Sequence, residues 1–214
     1  MAEEYHTKRL DNPRYPPLAR AFMYTQNFHP TLSKYKTAID LGSSCGSLLL
    51  EMTKINQQLS VVGVDHSVGA KEIWCVPEEK GRFIQADFNK DCTGLLGGQK
   101  FDLITCTEVA EHLIDGEYLL NLIDEISSGT SVLIFSAAVP GQKGRGHINC
   151  HWHGYWMKKL EERGWLYNHQ MTSHCFHEIG KANGKRKKTV PRYYLNIMVF
   201  QQQADLSSED GLLH

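Results

Sequence analysis

The sequence predicts an α/β fold, a mostly parallel sheet with helices on both faces. Three observations carry this. From Thr37 onward, short apolar and β-branched runs alternate with amphipathic stretches, the pattern of parallel strands joined by crossover helices. The first run ends in a glycine-rich turn, Asp40-Leu41-Gly42-Ser43-Ser44-Cys45-Gly46. The next two runs end in acids, Asp65 and Ala86-Asp87.

The first strand is expected at 37–41. A helix follows at 46–57, with Leu48, Met52 and Ile55 on one face. Residues 59–65 (LSVVGVD) form a β-branched run and read as a strand buried on both faces. Strands three and four are expected at 82–86 and 101–106. A helix at 113–126 turns Leu119, Leu122, Ile123 and Ile126 inward, and strand five covers 131–136. The next helix, 151–163, carries Trp152, Trp156 and Leu160 at i, i+4, i+8 and stops at Gly164. Both tryptophans are assigned to the core. Beyond it, 165–177 and 193–202 read as two extended stretches joined by a polar loop at 180–192. They form a C-terminal antiparallel hairpin and bring the sheet to seven strands. Residues 1–36 are expected to form an N-terminal cap with one helix around 18–27. The principal domain spans 37–203, and 204–214 reads as a disordered tail.

A chain of 214 residues, 41% hydrophobic and 22% charged, suits one globular domain. The formal net charge of −1 creates no global field for nucleic acid or membrane. No apolar run approaches the roughly 18 residues that span a bilayer. The first residues lack a signal-peptide pattern, so a cytoplasmic location is expected. The six cysteines are scattered without a C-x-x-C pair and read as reduced thiols. Cys150, His151 and His153 lie close together but lack the paired spacing and fourth ligand of a structural zinc site.

The chemistry gathers at one edge of the predicted sheet. A glycine turn between strand and helix lets the backbone approach a ligand and aims free N–H groups at it. Asp65 lies 23 residues beyond Gly42, a spacing that suits the two hydroxyls of a ribose. A carboxylate at Asp87 can accept from an adenine amino group. With Asp40, Gly42, Ser44 and Gly46, these residues resemble the class I S-adenosylmethionine-dependent methyltransferases, over about 37–202. The resemblance implies a Rossmann-like seven-stranded fold and S-adenosylmethionine as cofactor. It places the methionine part on Gly42, Ser44 and Gly46, the ribose on Asp65 and the adenine on Asp87. Asp40 matches the acid that opens the family's first motif, and Thr107 lies beside the cofactor at the end of strand four. Ser44 departs from the commoner glycine. Nicotinamide dehydrogenases keep three glycines and add a substrate domain, and neither feature is present.

The acceptor side is expected where strand four runs into Thr107-Glu108-Val109-Ala110-Glu111-His112. If helical from Glu108, the E-x-x-E-H spacing puts Glu108, Glu111 and His112 on one face. They could hold Mg²⁺ or Mn²⁺, hydrogen-bond an acceptor, or anchor the loop. The glycine-rich stretch 141–149 should overhang the same edge, with His147 the first candidate for a base; Glu108 and His112 are the other catalytic candidates. Tyr15, Tyr24 and Phe28 are expected to line the acceptor pocket. Residues 181–192 carry six basic side chains and no acid, either steering an anionic acceptor or forming a solvated loop tip. The reading is methyl transfer to oxygen or nitrogen of a small molecule. A second, partial resemblance is to the small-RNA 3′-terminal 2′-O-methyltransferases, through Pro16-Pro17-Leu18, Glu108, Glu111, His112 and His147. It implies metal-assisted methylation of RNA, with those last four residues as ligands. A cofactor-binding subunit without catalysis is the third possibility.

Overall fold

The computed structural model describes residues 12–31, 34–183 and 195–202. In chain order the elements are α1 (Tyr15–Met23), β1 (Thr37–Leu41), α2 (Ser47–Ile55), β2 (Ser60–Asp65), α3 (Val68–Glu72), β3 (Gly81–Gln85), β4 (Phe101–Thr107), α4 (Glu117–Glu125), β5 (Ser127–Ser136), α5 (His153–Glu161), β6 (Trp165–Tyr167), α6 (His169–Asn183) and β7 (Met198–Gln202), with short 3₁₀ turns at Tyr24–Phe28 and Ala110–His112. The seven strands lie in the order β3-β2-β1-β4-β5-β7-β6. β1 to β5 are mutually parallel, and β7 runs antiparallel to both its neighbours. This is the predicted mostly parallel sheet with an antiparallel end.

Strand parity divides the core. Ile39, Leu41, Val62, Val64, Ile104 and Phe135 face α4 and α5. Their alternates Ala38, Val61, Leu103, Val132 and Ile134 face α1, α2 and α6. Buried on both faces, these strands need the continuous apolar sequences they have. Between β3 and β4, residues 86–100 form turns rather than a helix. Phe88, Cys92 and Leu96 from that segment fill the space instead.

The C-terminal part corrects the sequence reading. β6 and β7 do pair antiparallel, but they are not a hairpin. β6 is only three residues long, and the fifteen-residue α6 follows it. Met171, Cys175 and Ile179 recur at helical spacing and are buried, so packing against α1 holds this stretch helical. Most of the basic stretch 181–192, and the tail 204–214, lie outside the described residues. Lys181 itself is exposed and pairs with Glu178 at 2.7 Å. Trp152 is a second correction: it stands just before α5 and is 66% exposed, whereas Trp156 and Leu160 are fully buried. Among the described residues no helix is long and apolar enough to cross a membrane.

Candidate functional site

The carboxyl ends of the parallel strands form one edge, where loops leave the sheet and a ligand can enter. After β1 the chain folds back so that the amides of Gly42 and Ser43 both donate to the carbonyl of Val64, at 2.8 and 3.0 Å. Gly42 and Gly46 have φ of +85° and +82°. A Cβ on Gly42 would fall 2.3 Å from Cγ2 of Val109, and one on Gly46 2.5 Å from the Trp74 ring. Conformation and crowding therefore both demand glycine. Ser44 also takes a left-handed φ, +50°. Its amide donates to Oδ2 of Asp65 at 2.8 Å. The other oxygen of Asp65 accepts from the Ser67 amide at 2.9 Å. Asp65 thus joins the turn to the end of β2, and each oxygen retains capacity for a second donor.

The other predicted cofactor residues take different positions. Asp40 is buried within β1 and accepts from the Thr105 hydroxyl at 2.7 Å, bracing β1 against β4 below the turn. Asp87 follows β3, half-buried, and accepts from the Asn89 amide at 3.0 Å. Thr107 closes β4 in register with Ser136 of β5.

The E-x-x-E-H segment is not a helix from its first residue. Glu108 has φ +57°, and only Ala110–His112 makes a 3₁₀ turn. The three side chains therefore differ in environment. Glu108 is half-buried; it accepts from the Ser136 hydroxyl at 2.9 Å and from Gln142 at 3.4 Å. Burial, with the Glu111 carboxyl beside it, pushes its pKa up to about 8. Glu111 is completely buried, and neither of its oxygens has a hydrogen-bond partner. Burial raises its pKa too. His112 is exposed.

The loop after β5 completes the site. The Glu111 carbonyl accepts from the amides of Ile148 and Asn149 at 2.9 and 3.0 Å, and the Asn149 side chain donates to Ala110 at 3.2 Å. This brings His147 over the 3₁₀ turn, with its ring 5.0 Å from that of His112. A Cβ on Gly144 would fall 2.0 Å from His147 Nε2, so the loop closes around the imidazole. Nδ1 of His147 lies 3.1 Å from the Gln142 carbonyl, and Nδ1 of His112 3.1 Å from the Gly146 carbonyl. A carbonyl only accepts, so each Nδ1 carries a proton, and in the neutral form of either ring the lone pair lies on Nε2. Nε2 of His147 stands 4.0 Å from Glu111 Oε1. One ligand atom from each of Glu111, His112 and His147 falls within 4.8 Å of the others.

No family model matches this sequence, and no curated protein matches it. Solved structures do match in shape. The plantazolicin methyltransferase BpumL, in complex with a triazolic desmethylPZN analog and SAH, superposes with a TM-score of 0.65 at 12% identity, covering 94% of this chain and 90% of the other. The chain has the class I methyltransferase fold. The related BamL complex gives 0.62 at 9% identity over 94% and 89%. StiE O-MT gives 0.53 at 17% identity over 79% and 68%.

Within this methyltransferase fold, Phe28 is placed otherwise than expected. Tyr15 and Phe28 pack into the α1–α2–α6 layer. The Phe28 ring lies 5.0 Å from that of His174, and the adjacent His29 binds the Thr130 carbonyl in the early part of β5, away from the carboxyl edge. Tyr24 is exposed. α1 belongs to a helical layer because Leu18, Ala21 and Phe22 bury there. Three residues at the site escaped the sequence reading. Ser136 and Gln142 hold Glu108; a hydroxyl ending an otherwise apolar strand was their signal. Trp74 roofs Gly46 and Gly63; a glycine inside the β-branched SVVGVD run was the clue that something large packs on it.

Proposed function

We propose that this chain is an S-adenosylmethionine-dependent methyltransferase acting on a hydroxyl or amine of a small molecule. Gly42, Ser44 and Gly46 would hold the methionine part of the cofactor, Asp65 the ribose and Asp87 the adenine, with Thr107 at the end of β4 on the same side, while Asp40 braces the turn from below. When bound, S-adenosylmethionine would supply an electrophilic methyl group for the acceptor's lone pair. The acceptor's proton passes to Nε2 of His147. The observation that carries this is the Nε2 lone pair, aimed by the Gln142 carbonyl and set 4.0 Å from the buried Glu111 carboxylate. That carboxylate stabilises the imidazolium formed by the transfer. Glu108 and His112 flank the same space. The test is release of S-adenosylhomocysteine in the presence of hydroxylated and amino acceptors. His147→Ala should lower kcat by about 10²–10⁴ with KM little changed. Tight cofactor binding with no turnover across a broad panel would favour a binding subunit instead.

One observation favours a second reading, metal-assisted 2′-O-methylation of RNA 3′ ends. Glu111, His112 and His147 converge within 4.8 Å, and two buried Glu111 oxygens have no donor. Imidazoles held by backbone carbonyls through Nδ1 suit metal ligation, so the residues fit a Mg²⁺ or Mn²⁺ ion. Glu111, His112 and His147 would hold it, with Glu108 adjacent. When bound, such an ion lowers the pKa of a hydroxyl acceptor. Titration of Mn²⁺ into protein loaded with S-adenosylhomocysteine, repeated with Glu108→Ala/Glu111→Ala, separates the readings. Stoichiometric binding lost in the double variant supports the metal. Absence of binding leaves His147 as the base.

A further inference from the structure

The glycine turn carries a thiol that has a partner from outside it. Cys45 is fully buried, between Ser44 and Gly46. Thirty residues later, Cys75 follows the tryptophan that roofs Gly46. The amide of Cys75 donates to the Cys45 carbonyl at 3.0 Å. That bond holds the two residues side by side, as a disulfide between them requires. Each thiol shifts the other's ionisation, and Cys45 Sγ lies 3.2 Å from the Ser47 hydroxyl. Cys75 is only half-buried, so a water-sized oxidant has a way in.

We propose that Cys45 and Cys75 form a redox clasp on the glycine turn, whose closure by a peroxide distorts the turn and weakens cofactor binding. One thiolate attacks hydrogen peroxide, giving a sulfenic acid and hydroxide. The second sulfur then attacks the sulfenic sulfur, the S–S bond forms, and water leaves. Overall the thiols lose two electrons and two protons, and the peroxide becomes two waters. Side by side, the two thiols favour sharing a single proton, which supplies one thiolate to the pair. Bonding contracts the sulfur separation to about 2.05 Å. The Trp74 ring packs where a Cβ on Gly46 would stand, so the contraction is passed to the turn, and with it to the Ser44 amide on Asp65.

The effect on affinity rests on the cofactor reading above; the clasp itself does not. The full chain, reduced or treated with excess hydrogen peroxide, is alkylated and mapped by mass spectrometry. Amide exchange of residues 42–47 and calorimetric binding of S-adenosylhomocysteine are followed alongside. A Cys45–Cys75 linked peptide, altered exchange at 42–47 and affinity lowered about tenfold or more, all reversed by dithiothreitol, are expected. Cys75→Ser should fold, bind as the reduced protein does and ignore peroxide. No linked peptide, or a linked peptide with unchanged exchange, overturns the clasp. If the linkage alters exchange but affinity stays the same, the switch is overturned. If the reduced protein binds no S-adenosylhomocysteine, the cofactor reading and the proposed switch fall together, while linkage and exchange still decide the clasp.

Discussion

His147 and Glu111 face each other across 4.0 Å, one with a lone pair on Nε2, the other a fully buried carboxyl without a donor. Burying a carboxylate that nothing satisfies is unfavourable for the folded chain. Glu111→Gln should therefore leave the melting temperature unchanged or raise it, while lowering kcat. Calorimetric melting together with a turnover assay checks this. A large fall in melting temperature would mean that Glu111 contributes structurally through its charge.

Glu108 makes stability depend on pH. Its pKa rises from the ordinary 4.5 to about 8 on folding, so between those values the folded chain holds a proton that the unfolded chain has released. Its stabilising contribution is complete below about pH 4.5 and is lost as pH rises through about 8. The loss should be on the order of 2–4 kcal/mol. Urea denaturation across that range should show the decline in wild type and a flatter profile in Glu108→Gln.

Gly46 and Trp74 should behave as a coupled pair. Gly46→Ala places a methyl against the indole and strains a left-handed φ, and should cost about 1–3 kcal/mol. Trp74→Ala removes the clash but not the strain. A double-mutant cycle should give a coupling of at least about 0.5 kcal/mol, read from denaturant midpoints. Strict additivity would mean that the ring moves aside freely.

Asp65→Ala should weaken S-adenosylhomocysteine binding by about 1.5–3 kcal/mol, through loss of charge-assisted hydrogen bonds. The Ser44 and Ser67 amides lose their acceptor in the same variant, so amide exchange at 42–46 should also quicken. Unchanged affinity would put the ribose elsewhere.

Arg163 offers a contrast remote from the site. It pairs with Glu117 at 2.8 Å and Asp124 at 2.5 Å, linking α5 to α4. All three groups are partly exposed, so Arg163→Ala should cost no more than about 1 kcal/mol and leave kcat unaltered. Thermal melts and turnover measured together would show this.

The sequence made the parallel half of the sheet legible because strands buried on both faces must be apolar throughout, as in SVVGVD and SVLIFS. The glycines at 42 and 46 were readable for a related reason: few other residues survive a left-handed turn. What escaped depended on distant partners. The Met171, Cys175 and Ile179 stripe signals a helix and the preceding Trp165-Leu166-Tyr167 a strand; the boundary falls at Asn168, whose Oδ1 caps the Met171 amide at 2.9 Å while its own amide pairs with Val199 of β7. Trp152 shares helical spacing with Trp156, yet the helix begins one residue too late to bury it. At the site, Glu108, Glu111, His112 and His147 were each visible. The left-handed φ at Glu108, which sends its carboxyl to Ser136 and Gln142, follows from β4–β5 register and leaves no mark in local sequence.

The position of β7 bears on how the chain is made. Among the described residues it is the last strand in sequence, yet it fills the slot between β5 and β6. During synthesis β6 therefore emerges with no neighbour to pair with, and β5 keeps an open edge until Met198–Gln202 arrives. A ribosome paused after α6 would hold a nascent chain with two unpaired strand edges, the species most prone to pair with another chain. Protection by a chaperone would matter most in that interval.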